Sequence, residues 1–469
     1  MKVSTINIKN VRSARLRTDA SYHLSEGQIV QKDIVSSPYP LMQIKDVSND
    51  IFIGNRAKRI YVSSIEHGIP FLSSSDILKG DLEHVKLASK KYTPEIDRML
   101  LQKGWTLISR SGTIGNCAFA NAKHAQKLAS EDVIRLVPNN ILRGGLVYAY
   151  LASKYGHSLL TQGTFGAVIQ HIEPDFVGSL PIPHFPETFQ EEVDDLMQGA
   201  SRLREEATDE LNEAEKILKE AAKLRDLTPE DYDYYGLNNS GRKVSCFIRK
   251  RKDIDTKTIN AFNHSERIRN TKASITSQTV SLKEVLLGGD TFSTGSFPRI
   301  EVKEGCGIML INQKDIFDTI VNGKYISKRN VKTNNLVEYG EVLIAGVGTL
   351  GENETFCRAI YANEDLVGQL VSGEFIRMKT NGKVPSGYLC AWLASDYGFR
   401  LLRNLQAGTK LCRPIPRLVL EIPVPIVEKD VMEEIDKMVK DAYTKRYQAN
   451  CNERKAISLV EQEIESWNK

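Results

Sequence analysis

The strongest constraint on this chain is that its sequence is written twice. The stretch G-W-T-L-I-S-R-S-G-T-I-G, from Gly104 to Gly115, returns as G-E-V-L-I-A-G-V-G-T-L-G, from Gly340 to Gly351, 236 residues later and with six identities in twelve positions. Upstream, G-I-P-F-L-S-S-S-D-I from Gly68 aligns with G-I-M-L-I-N-Q-K-D-I from Gly307. Downstream, L-A-S-K-Y-G from Leu151 recurs as L-A-S-D-Y-G from Leu393, and P-D-F-V-G-S-L-P-I-P from Pro174 as P-R-L-V-L-E-I-P-V-P from Pro416, both 242 residues on. The openings agree as well, D-A-S-Y-H from Asp19 against N-A-F-N-H from Asn260. Because the order is kept while the offset drifts only from 236 to 242, the chain is an internal duplication, and a repeat of this length must be assigned before any element is.

Each copy closes on a proline-rich exit, P-I-P or P-V-P, expected to stop a strand, and each exit leads into a helical pattern. In the first, Val193, Ala200, Ala207, Ala214 and Ala221 recur every seven residues, with Leu196, Leu203, Ile217 and Leu224 three residues after four of them and Glu210 breaking the stripe. That is an a/d heptad seam with small residues at a. The second, from about Val431 to Trp467, sets Ile435, Met438, Ala442, Ala449, Ala456 and Leu459 in register but has Lys445 and Asn452 at d. A lone helix of this kind leaves its apolar stripe wet, so burial of each helix against the other is expected. The alternative is that each covers only its own module.

Inside each copy the pattern is short and apolar: Leu41 to Ile44, Ile69 to Leu72, Thr106 to Ile108 and Val342 to Ile344 read as strands, Leu146 to Leu160 and Tyr388 to Leu402 as helices. The expected class is therefore α+β, with two similar globular domains separated by two long antiparallel coiled-coil helices in a pseudo-twofold arrangement. The boundaries read 1–186, 187–228, 229–427 and 428–469.

The net charge of +4 is unremarkable, but its distribution is not. From Phe189 to Leu224 there are 11 acidic residues against 5 basic, so the rest of the chain carries +10. Local basic surface, not the average, attracts phosphate. Seven scattered cysteines without a C-x-x-C pair indicate neither a disulfide framework nor a zinc cage. The amino-terminal residues contain no secretory h-region and no apolar run approaches the roughly 18 residues of a spanning helix. A cytoplasmic protein is expected.

Enzymatic signatures are missing from the sequence. G-T-I-G-N and G-T-L-G-E lack the lysine and the spacing of a phosphate loop. The Asn/Asp-Pro-Pro-Tyr/Phe pocket that amino-methyltransferases use to hold a flipped base is absent, as is any H-E-x-x-H pair. No catalytic residue, metal ligand or cofactor is assigned. The glycine turns place backbone N–H groups and a threonine hydroxyl where a phosphate, a base edge or a neighbouring loop would satisfy them.

In its order of parts the chain resembles the specificity subunit of type I restriction-modification systems, including divergent phage-defence members. The local matches are L-R-T-D-A-S-Y-H at Leu16 to His23, the S-G-T-I-G turn, Q-G-T-F-G-A-V-I-Q-H-I at Gln162 to Ile172, and the L-P-I-P exit leading into F-Q-E-E-V. The exits P-H-F-P-E-T-F-Q-E-E and P-V-P-I-V-E-K-D-V-M depart from the family's usual Pro-Pro-Leu followed by Glu-Gln. The resemblance implies two target-recognition domains reading a bipartite double-stranded DNA target. It also implies a non-catalytic chain that docks DNA methyltransferase subunits and, in some assemblies, a restriction or translocase subunit. On that reading the base-reading candidates are Arg110, Ser111, Thr113 and Thr349, and the phosphate candidates are Lys58, Arg59, Lys90, Lys91, Lys328, Arg329, Lys410, Arg413 and Arg417. A DNA-modifying enzyme with an unrecognised site and a coiled-coil protein scaffold are the competing readings.

Overall fold

The computed structural model describes residues 5–13, 18–56, 58–164, 170–228, 231, 247–254 and 259–467. The chain divides into two compact units, Met1–Glu205 with Gln448–Lys469, and Glu206–Tyr447. The first contains β1 (Leu41–Gln43), β2 (Ser48–Ile53), β3 (Tyr61–Val62), β4 (Gly68–Leu72), β5 (Lys86–Ser89), β6 (Thr106–Ser109), β7 (Cys117–Phe119), β8 (Leu128–Ala129), β9 (Val133–Pro138) and β10 (Pro181–Pro183). They form sheets ordered β2-β9-β6-β7 and β3-β5-β4-β8 and the pair β1-β10. The second contains β11 (Thr279–Ser281), β12 (Ile308–Ile311), β13 (Lys324–Ile326), β14 (Val342–Ala345), β15 (Ala359–Tyr361), β16 (Leu370–Val371), β17 (Phe375–Met378), β18 (Gln406–Ala407), β19 (Arg413–Pro414) and β20 (Pro423–Pro425). Here the orders are β15-β14-β17 and β13-β12-β16, with pairs β11-β20 and β18-β19.

The two units match strand for strand, β4 with β12 through β9 with β17. A parallel pairing recurs as well, Phe71 opposite Leu128 in the first unit and Leu310 opposite Leu370 in the second. The central strands β6 and β14 are buried at every residue, the apolar run Val342–Ala345 and, in β6, Leu107 and Ile108 flanked by buried Thr106 and Ser109. Two strands are not kept, β2 and β3, and in place of β3 the second unit has only an isolated bridge from Glu301 to Ile326. β2 pairs with β9 along its length, whereas its place beside β17 is taken by an isolated bridge from Phe292 to Arg377.

Two readings of local structure need correction. The expected helix from Leu146 to Leu160 is two helices, Gly144–Ala152 and Lys154–Gln162, and its counterpart is Ser386–Ala394 followed by Asp396–Arg403. The serine of the repeated L-A-S-x-Y-G breaks each. Ser153 Oγ accepts from Gly156 N–H at 3.2 Å and donates to Tyr150 O at 2.6 Å; Ser395 Oγ accepts from Gly398 N–H at 3.3 Å and donates to Trp392 O at 2.6 Å. This is N-capping of the second helix, and the glycine is obligatory: a Cβ would lie 2.1 Å from Tyr150 O or 2.2 Å from Trp392 O. The proline exits, in turn, do not stop strands. They are short strands themselves, Leu41 facing Pro183 and Thr279 facing Pro425, tolerated because a two-stranded ribbon leaves the proline nitrogens on its outer edge.

The long helices run Glu187–Ala221 and Lys429–Ser466, and the boundary between units falls inside each. In the first unit Val193 and Met197 pack in one core with Ala456, Val460 and Ile464. In the second, Ala214 and Leu218 pack in one core with Ile435, Val439 and Tyr443. The buried face differs from the expected one. Four of the residues that follow an a position by four, Met197, Leu218, Val439 and Val460, are fully buried, while Leu196, Leu203 and Ile217 lie half-buried beside the seam. Positions three and four along a helix share a side, so the spacing could not choose between them.

Candidate functional site

The turn after the central strand is where the units diverge. Between β6 and β7 the chain has residues 110–116; between β14 and β15 it has 346–358. The second turn is six residues longer, which takes the offset of the repeat from 236 before it to 242 after it.

In the first unit β6 ends against neighbours that hold its backbone. Ser109 N–H donates to Asn116 O at 2.8 Å, Gly115 N–H donates to Ser109 O at 3.0 Å, and Arg110 N–H donates to Asp132 O at 2.8 Å. Gly112, at φ +75°, reverses the chain in a region where a side chain would be strained. The side chains converge on carboxylates. Ser111 Oγ donates to Asp132 Oδ1 at 2.8 Å, and Arg59 lies 2.7 Å from Glu131, 3.5 Å from Asp132 and over the Phe71 ring. Arg110 pairs with Glu173 and is only 13% exposed, with Ser111 bridged to His171. Thr113 Oγ1 faces Ser109 Oγ at 3.2 Å. Glu131 and Asp132 raise the Arg59 pKa against the lowering effect of its burial, so it stays a cation.

Arg59, Arg110, Ser111 and Thr113 are thus brought together, and sequence reasoning did not name the acidic partners that hold them, Asp132 and Glu173. The result is a cluster of alternating donors and acceptors of the sort that can read a hydrogen-bonding edge. Lys58 is exposed nearby in sequence.

In the second unit Gly346 N–H donates to Glu374 O at 3.1 Å, repeating the bond made by Arg110, but the rest of the turn is held differently. The Gln313 side chain clamps Val347, accepting from its N–H at 3.0 Å. Gly348 and Cys412 exchange backbone bonds of 3.1 and 2.8 Å, joining the turn to the β18-β19 hairpin. Glu352 anchors the inserted residues to Arg403 at 2.8 Å and Arg400 at 3.5 Å. Thr349 is exposed, and the hairpin presents exposed Lys410 and Arg413 beside it, with Arg417 exposed on the helix Pro416–Val419 that follows. None of these three cations has a side-chain partner among the described residues.

A basic pair follows the matching strand in each unit. Lys90 and Lys91 come directly after β5; Lys328 and Arg329, 238 residues later, come after β13. All four are exposed. Lys90 Nζ donates to Ile65 O at 3.1 Å and Glu66 O at 3.0 Å, and Lys91 lies 5.4 Å from the Tyr92 ring. Leu16 and Arg17 of the L-R-T-D-A-S-Y-H motif, and residues 165–169 of the Gln162 to Ile172 segment, lie outside the described residues. Among the described residues no group of His, Cys, Asp and Glu is arranged to hold a metal ion, and no helix is long and apolar enough to cross a membrane.

These features define a duplicated α+β protein with a turn that differs in length and sequence between the copies and an exposed basic pair in each. No family model and no curated protein matches the sequence. Among solved structures, the chain is similar to a type I restriction-modification S subunit from M. genitalium at 12% identity and a TM-score of 0.35, over 92% of this chain and 96% of that one. It is also similar to an HsdS subunit from Thermoanaerobacter tengcongensis at 11% identity and a TM-score of 0.27, over 91% and 96%. A third match is a chain from a structure describing complex assembly and conformational transition of the type I restriction-modification system, at 13% identity and a TM-score of 0.28, over 91% and 98%.

Proposed function

We propose that this chain is a non-catalytic, sequence-specific DNA-binding specificity subunit. Each unit reads one half of a bipartite double-stranded target, and the paired long helices set the spacer. Methyltransferase subunits, with a restriction or translocase subunit in some assemblies, dock on the chain and carry out the bond-making. One observation carries the reading: the same scaffold occurs twice, repeating its basic pair after β5 and β13 while changing both length and residues in the turn after β6 and β14. Phosphate contacts position a protein without reading sequence, so they should be kept; base contacts specify, so they should differ.

Residues 1–186 exchanged for those of a homologue should change one half of the methylated motif in cells and leave the other half intact. A change in both halves would refute the modular reading. The purified chain alone, given a labelled methyl donor and DNA, should transfer no methyl group; sustained turnover would replace this proposal with an enzyme.

A further inference from the structure

Near the start of each copy of the repeat lies a basic segment that the reading above does not use. Residues 247–254 read F-I-R-K-R-K-D-I. Arg249 is tied down, its guanidinium 4.7 Å from the Phe247 ring centre and 2.7 Å from Glu266, with 8% of the side chain exposed. Asp253 N–H donates to Lys250 O at 2.9 Å and Ile254 N–H to Arg251 O at 3.2 Å, winding Arg251–Asp253 into a single tight turn. From this anchored turn Lys250, Arg251 and Lys252 project into solvent, all exposed and with no side-chain partner among the described residues. Residues 247–254 hold four cations and one carboxylate, Asp253, and Arg249 alone of the four is paired with a further carboxylate, Glu266, among the described residues.

The same position is basic in the other copy. The helix Ile8–Ser13 carries exposed Lys9 and Arg12. They precede Arg249 and Lys252 by 240 residues, the offset that also relates Glu26 to Glu266 at the heads of the helices Glu26–Val35 and Glu266–Ala273.

We infer that these segments are paired phosphate-binding arms, gripping the DNA backbone beside each half-site without reading its sequence. The inference rests on the DNA-binding reading above. An anchored turn loses little further backbone freedom on binding, and free cations meeting a duplex gain from counterion release. Three unpaired cations on one turn suit a line of phosphates better than the planar, bidentate geometry of a base edge.

The test uses the full chain, a mixed-sequence DNA duplex, and the triple variant K250Q/R251Q/K252Q. Every phosphate that a cation neutralises adds about 0.9 to the salt slope, so without two or three of them affinity should fall about 10- to 40-fold less steeply between about 50 and 200 mM salt. The charge-preserving variant K250R/R251K/K252R should keep the wild-type slope. A wild-type chain that binds DNA, with a triple variant of unchanged slope, would overturn the arms and leave the DNA reading standing. An unchanged DNA slope together with abolished binding to polyglutamate would overturn them in favour of an acidic protein partner. A wild-type chain that binds no DNA in low salt would remove both.

Discussion

Arg135 on β9 and Arg377 on β17 occupy one position of the repeat, 242 residues apart, and both are fully buried. Each lies against a phenylalanine, Phe52 at 5.8 Å and Phe292 at 4.8 Å. Their charges are handled differently. Arg377 Nε and Nη2 donate to the two oxygens of Glu341 at 2.8 and 2.9 Å, and its remaining groups reach Asn335 O at 2.8 Å and Leu336 O at 2.7 Å. Among the described residues Arg135 has no carboxylate in reach of a hydrogen bond. Where Glu341 stands, 236 residues earlier, the first unit has Trp105, and Arg135 donates only to backbone carbonyls, among them Val133 O at 2.8 Å and Ser130 O at 3.1 Å. Burial accordingly lowers its pKa to about 10. What the fold keeps is a planar, many-donor group that ties irregular loop carbonyls to the central sheet; the counter-ion is a second solution added in one copy.

Breaking that added solution should have the largest effect. Glu341→Gln strands a buried guanidinium without its charge partner, and such losses cost about 3–5 kcal/mol. The second unit should lose that much in urea denaturation while hydrogen exchange in β6 of the first stays unchanged. A loss below about 1 kcal/mol would show that carbonyls alone suffice in both copies, as they do around Arg135.

A second buried group separates the units by pH. His124 is fully enclosed, its Nε2 3.3 Å from Ile77 O, and burial lowers its pKa to about 4, with Lys127 and Arg204 adding to the effect. At the same place in the other copy, 242 residues on, stands buried Leu366. An unfolded histidine titrates near 6.5, so between pH 6.5 and 4 the unfolded chain binds a proton that the folded one refuses. Stability is therefore intact above that window and falls by about 3 kcal/mol as pH drops through it. Amide protection in β6 should fall between pH 7 and pH 4.5, and His124→Leu should flatten this dependence. An equal fall in the variant would place the acid sensitivity elsewhere.

These contrasts also mark what the sequence could reveal. The duplication, the two long helices and the central strands were legible because identity at a fixed offset and apolar periodicity are local properties. The buried face of the helices was not, since Leu196 and Met197 both fit the pattern and only the facing chain decides. Matching letters also concealed unlike backbones: Gly112 and Gly115 have positive φ, whereas Gly348 and Gly351, aligned with them, do not. Asp132 and Glu173 escaped notice because they reach the turn from 21 and 63 residues away, and a carboxylate that tethers a serine or an arginine has no local signature.

The seams of the long helices give the smallest and most discriminating test. In the first unit Arg204, four residues after an a position, lies 2.6 Å from Glu453, and the carboxylate also accepts from Tyr148 Oη in a buried setting, with only 5% of the Glu453 side chain exposed. In the second unit the two residues that interrupt the heptads, Glu210 and Lys445, pair with each other, and Glu206 joins at 3.3 Å. That pair lies toward solvent, its side chains 26% and 28% exposed and that of Glu206 46%. Removing one partner of a buried, hydrogen-bonded charge leaves the rest unsatisfied, so Glu453→Ala should cost about 2 kcal/mol. An exposed pair is screened and entropically costly to order, so Lys445→Ala should cost no more than about 1 kcal/mol, and less at high salt. Chemical denaturation at low and high salt reads both. A Glu453 cost that salt removes, or a Lys445 cost that salt leaves untouched, would mean the two seams are held by the same kind of interaction, and the repeat would then be more alike in its helices than in its sheets.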